Sequence, residues 1–127
     1  MAKYSLALLG GGLGSLLRFI VGTLVLKVFT GLFPLGTFLI NVTGCFFIGL
    51  LMTFFLSRPD LDANWRVFFV TGILGGYTTF SSFEWEAFTA LREGAGLISI
   101  SYLVLSVLLG LAAVWLGAAA ASALRRL

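Results

Sequence analysis

Gly75-Gly76-Tyr77-Thr78-Thr79-Phe80-Ser81-Ser82-Phe83-Glu84-Trp85-Glu86 places two glycines, five hydroxyl side chains and two acids inside a chain that is otherwise nearly all hydrocarbon. Glycine loosens a helical backbone, and hydroxyls re-satisfy the amides and carbonyls that a break sets free. Within a bilayer such a break persists only where it lies inside protein or lines a water-filled cavity. The stretch reads as an interrupted membrane helix, broken at Gly75-Gly76 within a window that extends to Thr79. It marks the expected working site.

The sequence on either side fits that reading. The chain has 127 residues, 60% of them hydrophobic and 10% charged, with a mean hydropathy of +1.11, far from the composition of soluble domains. About 20 apolar residues of helix cross the hydrocarbon core, so this length holds four spans and little else. The expected fold is an all-α integral membrane protein, one domain over residues 1–127. Its long apolar runs lack the alternation of barrel strands. The spans are expected at about 4–29, 35–56, 65–92 and 97–123. The polar connection Ser57-Arg58-Pro59-Asp60-Leu61-Asp62-Ala63-Asn64 carries residues that turn the chain and cap the next helix.

The net charge is +3, but the basic residues are scattered and sit mostly at span ends, which fits snorkelling and anionic lipid headgroups rather than nucleic acid. Cys45 is the only cysteine and histidine is absent, which removes an intrachain disulfide and the usual zinc and haem ligand sets. The first apolar stretch exceeds a signal-peptide core and reads as a retained span. With four spans, Lys3, Arg58, Arg66, Arg125 and Arg126 share one side and Lys27 and Arg92 the other. The positive-inside rule then puts both termini in the cytoplasm, by a small margin.

Polar groups within the spans fall on stripes. Gly10, Gly14, Arg18 and Gly22 share one face of span 1; the glycines suit close helix packing, and Arg18 must snorkel or face an aqueous vestibule, where it attracts anions. Thr37, Asn41 and Gly44 share a face of span 2, and the Asn41 carboxamide needs a partner, either another helix or a passing ion. Phe80 and Phe83 face one side of span 3. Phenyl edges carry positive quadrupole and can hold a small anion, although packing is the commoner use of such rings. Unwound carbonyls of Gly75 and Thr78 can instead coordinate a monovalent cation. Glu84 and Glu86 are placed to pair with Arg18 or Arg92, to sit at a headgroup boundary or to carry protons. Ser99, Tyr102, Ser106 and Gly110 form a hydroxyl stripe on span 4, with serines able to donate back to their own helix. Donors are plentiful and acids scarce, which favours an anion.

Three motifs, Gly-Gly-Leu-Gly-Ser-Leu-Leu-Arg-Phe at 11–19, Gly-Thr-Phe-Leu-Ile-Asn-Val-Thr-Gly at 36–44 and Gly-Gly-Tyr-Thr-Thr-Phe-Ser-Ser-Phe at 75–83, stand in the order and spacing of a known family. The chain resembles the Fluc, or CrcB-like, fluoride channels over nearly its whole length. The resemblance implies a fluoride-selective passive channel in a bacterial plasma (inner) membrane, built as an antiparallel, dual-topology homodimer with two pores. It implies that Asn41 lines the pore and that Phe80 and Phe83 meet the ion edge-on. Thr37, Thr79, Ser81, Ser82, Tyr102 and Ser106 would supply or support polar contacts, with Arg18 and Glu86 in the vestibules. It also implies one structural sodium ion at the dimer axis, held by the carbonyls of Gly75 and Thr78.

Two other classes remain. A proton-coupled exporter of cationic drugs needs an acid in the membrane shared by proton and substrate, and span 1 offers only Arg18. A non-conducting assembly subunit would use Asn41 and the glycine faces for packing alone. An enzyme is not expected, because no nucleophile with its base and no metal cluster is present.

Overall fold

Residues 1–125 are described by a computed structural model in which every regular element is helical. Helix α1 spans Ala2–Val28 and stops at Phe29, whose backbone is extended, just before the Gly31 to Pro34 turn. Proline fixes φ and lacks a donor, which suits it to a helix start, where the N–H has no partner in any case; Pro34 is the N-cap of α2, which runs Leu35–Leu56. Asp62 then caps α3 (Ala63–Arg66) by accepting the Asn64 N–H at 2.9 Å. A π-helical stretch, π1 (Val67–Leu74), follows and gives way to α4 (Gly75–Tyr77). Beyond an irregular link, α5 covers Ser81–Arg92 and α6 covers Gly96–Leu124. Gly94 makes the turn between them at φ +81°, a conformation that side-chain-bearing residues avoid.

Helices α1, α2 and α6 are each long and apolar enough to cross a membrane. The segment from 63 to 92 is interrupted within the expected Gly75–Thr79 window, but toward its far end and not at Gly75-Gly76. Gly75 is helical at φ −62°, ψ −35°, and the chain first leaves the helix at Thr78, which is extended at φ −79°, ψ 159°. The glycines serve a different purpose. A Cβ on Gly76 would collide with the Gly11 carbonyl of α1, and one on Gly14 with the Ile73 carbonyl of π1. Backbone touches backbone along this seam, the arrangement that small residues permit between membrane helices.

A second pair, α2 with α6, closes in the same manner, with Gly49 against Val114 and Gly117 against Phe46. A small buried cluster joins Phe83 and Ala87 of α5 to Tyr102 of α6, with Phe33, Phe38 and Leu103 packed around it, and Ile40, Leu74, Ala113 and Ala121 are buried elsewhere. Most large apolar side chains point outward, from Leu8 and Phe19 to Leu111 and Trp115, as a chain solvated by lipid allows. Of the basic residues weighed for orientation, Arg126 lies outside the described residues.

Candidate functional site

The break is held by side chains from two other helices. The Thr78 N–H and hydroxyl both donate to the Leu74 carbonyl at 3.0 Å, closing the end of α4. A continuing helix would give the Thr79 N–H to the Gly75 carbonyl. Here it goes to Asn41 Oδ1 at 2.9 Å, while Asn41 Nδ2 donates to the Thr79 carbonyl, also at 2.9 Å. From α1, Arg18 Nη1 donates to the Thr78 carbonyl at 3.2 Å. The Thr79 hydroxyl accepts the Ser82 N–H at 3.3 Å and donates to Ser82 Oγ at 3.0 Å, which starts α5. Gly44 makes room for the link, since a Cβ there would strike Thr78 Cγ2.

One turn further on, Glu86 accepts from the Thr37 hydroxyl at 2.7 Å and from the Tyr102 hydroxyl at 2.8 Å. Sequence reasoning left the acids to pair with Arg18 or Arg92, to sit at a headgroup boundary or to carry protons, and the pairing is not formed. Instead Arg18 is taken by the backbone of the break, and the Arg92 guanidinium lies 5.8 Å from the centre of the Phe88 ring. Ser99 donates to the Ala87 carbonyl of α5 at 2.7 Å and not back to its own helix. Ser106 Oγ is buried with no hydrogen-bond partner among the described residues.

Phe80 and Phe83 do not share an environment. Their ring centres are 6.0 Å apart, yet Phe83 is 7% exposed and Phe80 73%. Phe83 packs edge-on against Tyr102 at 4.9 Å, whereas Phe80 sits in the irregular link before α5, where the helical spacing of three no longer applies.

Two cavities meet at the break. One, of about 500 Å³, is lined by Arg18, Thr37, Thr79, Ser82 and Glu86 among others. The other, of about 340 Å³, is lined by Asn41, Gly75, Thr78, Thr79 and Phe80 with the apolar Ile48, Val70 and Leu74. Thr79 lines both and its partner Asn41 lines the smaller, so the pair stands at the partition between them.

Donor protons are unevenly committed around these spaces. The hydroxyls of Thr37, Tyr102 and Thr79 are spent on Glu86 and Ser82. The Ser82 hydroxyl proton and the second N–H of the Asn41 carboxamide remain. Sequence reasoning missed the Thr43 and Tyr77 hydroxyls, which stand 3.0 Å apart and tie α2 to α4, and Phe33, which meets Tyr102 edge-on at 5.4 Å. Thr43 is offset from the Asn41 stripe, and Phe33 lies in a turn, so periodicity flagged neither.

Residues 5–118 match the model of the family described as CrcB-like protein, Camphor Resistance (CrcB). The chain is 52% identical over 116 residues to the Fluoride-specific ion channel FluC of Solibacter usitatus, covering 91% of this chain and 95% of that one. It is 46% identical to the protein of the same name from Acidobacterium capsulatum, with 91% and 92% covered. It is 43% identical to that of Azobacteroides pseudotrichonymphae, with 92% and 94% covered. With these matches over nearly its full length, the chain belongs to the CrcB-like protein family.

Proposed function

We propose that this protein is a passive, fluoride-selective channel that lets cytoplasmic fluoride leave a bacterial cell across the plasma membrane. The observation that carries the reading is the Asn41–Thr79 pair standing between two cavities in a break that few acids approach. The names of the relatives supply the ion. Fluoride is small and strongly hydrated, so a path for it must replace water with donors at close range. The free Asn41 N–H, the Ser82 hydroxyl with its neighbour Ser81, and the buried Ser106 hydroxyl are available for this. The Phe80 ring edge, open on the protomer surface, adds positive quadrupole without a fixed charge. Arg18 at the wider cavity raises the local anion concentration.

Glu86 lies beside that route, and its charge opposes an anion. The Thr37 and Tyr102 hydroxyls hold the carboxylate in place and partly offset it. In this account Thr37, Tyr102 and Thr79 therefore act through their partners, and Phe83 supports Phe80 and Tyr102 from the core.

The fourth span is the interrupted segment from 63 to 92, and the working unit is an antiparallel homodimer with a pore on each side of the break. Exposure of Phe80, Gly75 and the cavity around Asn41 on one protomer supports a wall completed by a second copy. The narrow charge bias between the two ends is compatible with dual insertion.

The donor set also fits a structural sodium ion. With the Thr79 N–H diverted to Asn41, the Gly75 carbonyl is released from helix bonding. Among the described residues the Thr78 carbonyl accepts one hydrogen bond, from Arg18, which leaves its second lone pair. Two carbonyls from one protomer are too few for a cation, so the partner's equivalent pair would complete the shell and the ion would tie the two breaks together.

The test is a current measurement across a planar bilayer holding the purified protein. Current in symmetrical potassium fluoride that disappears when chloride replaces fluoride supports the reading; equal currents in both salts overturn it.

A further inference from the structure

A third cavity, of about 100 Å³, lies away from the break, between the C-terminal ends of α2 and α6. It is lined by Ser57, Arg58 and Arg125 at its mouth and by Leu50, Phe54, Ala121 and Leu124 below. We propose that it binds the phosphate headgroup of an anionic phospholipid, with Arg58 and Arg125 as the phosphate ligands and the apolar floor taking the start of an acyl chain.

The two arginines follow the ends of different helices, Arg58 after α2 and Arg125 after α6, and converge on one space at the level where membrane helices end. Arg58 is bent back over the end of α2, its guanidinium 5.7 Å from the centre of the Phe54 ring, which keeps it at the mouth instead of extended into water. Of the two acids along the connection, Asp60 lies two residues from Arg58, and Asp62 is engaged with the Asn64 backbone N–H and Nδ2 at 2.9 and 3.2 Å. The Ser57 hydroxyl is committed to the Phe54 carbonyl at 2.8 Å. Both helix ends present carbonyls, which repel an anion, so the guanidinium groups supply the whole attraction. Guanidinium forks match phosphate oxygens two at a time. A free phosphate ion would use the mouth and ignore the floor, and the combination of both is what favours a lipid.

The experiment is native mass spectrometry of the purified full chain in detergent with added phosphatidylglycerol or phosphatidylcholine. The wild type is expected to retain phosphatidylglycerol preferentially. Two surface arginines are together worth roughly thirtyfold in affinity for an anionic headgroup, so R58Q/R125Q should lose about that much, R58K/R125K should recover part of it, and Phe54→Ala should weaken retention. Equal retention of both lipids, or undiminished retention by R58Q/R125Q, would overturn the proposal. So would full competition by inorganic phosphate with no effect of Phe54→Ala, which would mark a site for the free ion only. Should the glutamine variant fail to fold, a photoactivatable phosphatidylglycerol on the wild type decides. Cross-links at residues 50–58 and 121–125 support the site; cross-links confined elsewhere refute it.

Discussion

Asn41 of α2 and Thr79 of the interrupted segment exchange two hydrogen bonds of 2.9 Å, so one carboxamide supplies Thr79 with both backbone partners that a continuous helix would have given it. Only a group carrying donor and acceptor on a planar fork does this. Leaving a half-buried amide and carbonyl unpaired costs about 1–3 kcal/mol. Asn41→Ala should therefore lower unfolding stability in detergent by about that amount and speed hydrogen exchange at the Thr79 amide. An exchange rate unchanged from wild type would show that the pair does not hold the break.

Asn41→Asp separates support from conduction. The carboxylate still accepts the Thr79 N–H but has no proton for the Thr79 carbonyl, and it sets negative charge at the partition. Fluoride flux should fall by tenfold or more, an effect of about 1.4 kcal/mol or greater. Undiminished flux would remove Asn41 from the path.

Gly44 and Thr78 form a space-filling pair, because a Cβ on Gly44 would strike Thr78 Cγ2. Gly44→Ala should cost about 1–3 kcal/mol, as overpacking does, and reduce flux. Thr78→Ser removes the offending methyl and keeps the hydroxyl bond to Leu74, so the double variant should recover most of both losses. Measured unfolding free energies that simply add would contradict the contact.

The sequence made α1, α2 and α6 legible to within two residues, because long apolar runs bounded by Pro34, by Pro59 and by Gly94 leave a membrane helix little choice. It also picked out the interrupted segment and bracketed the break within Gly75–Thr79, but assigned it to Gly75-Gly76 because glycine was read for its flexibility. Gly76 is needed instead where α4 lies against Gly11, and the chain parts company with the helix at Thr78, where Asn41 and Arg18 offer substitute partners. That exchange depends on residues about 40 and 60 positions away, which local pattern does not report. The same holds for Phe80 and Phe83, whose spacing of three implied a shared face only if the helix continued between them.

The Glu86 carboxylate accepts from two hydroxyls on different helices, Thr37 and Tyr102. Hydrogen bonds to a charged group are worth about 1.5–3 kcal/mol. A double-mutant cycle of Tyr102→Phe with Glu86→Gln should show a coupling of about this size in unfolding free energy. Thr37→Val should lower flux as well, by freeing the carboxylate to swing into the wider cavity. A coupling near zero would mean that Glu86 and Tyr102 are neighbours without energetic connection.

Two glycines on α1 should respond with opposite sign. Gly14 faces the Ile73 carbonyl with no room for a Cβ, whereas nothing lies within 4 Å of a Cβ on Gly12. Gly14→Ala should destabilise the protein by about 1–3 kcal/mol, while Gly12→Ala should be neutral or stabilise by up to about 1 kcal/mol through reduced backbone freedom. Thermal unfolding of the two variants in the same detergent checks the contrast.

Ion efflux from liposomes carrying the purified protein, read with fluoride and chloride electrodes under matched potassium gradients, decides whether the chain conducts fluoride selectively. Fluoride release that requires valinomycin, with chloride retained, is the predicted result, since a passive channel moves charge and needs a counter-current. Release of both ions alike, or of neither from folded protein, would contradict a selective fluoride channel.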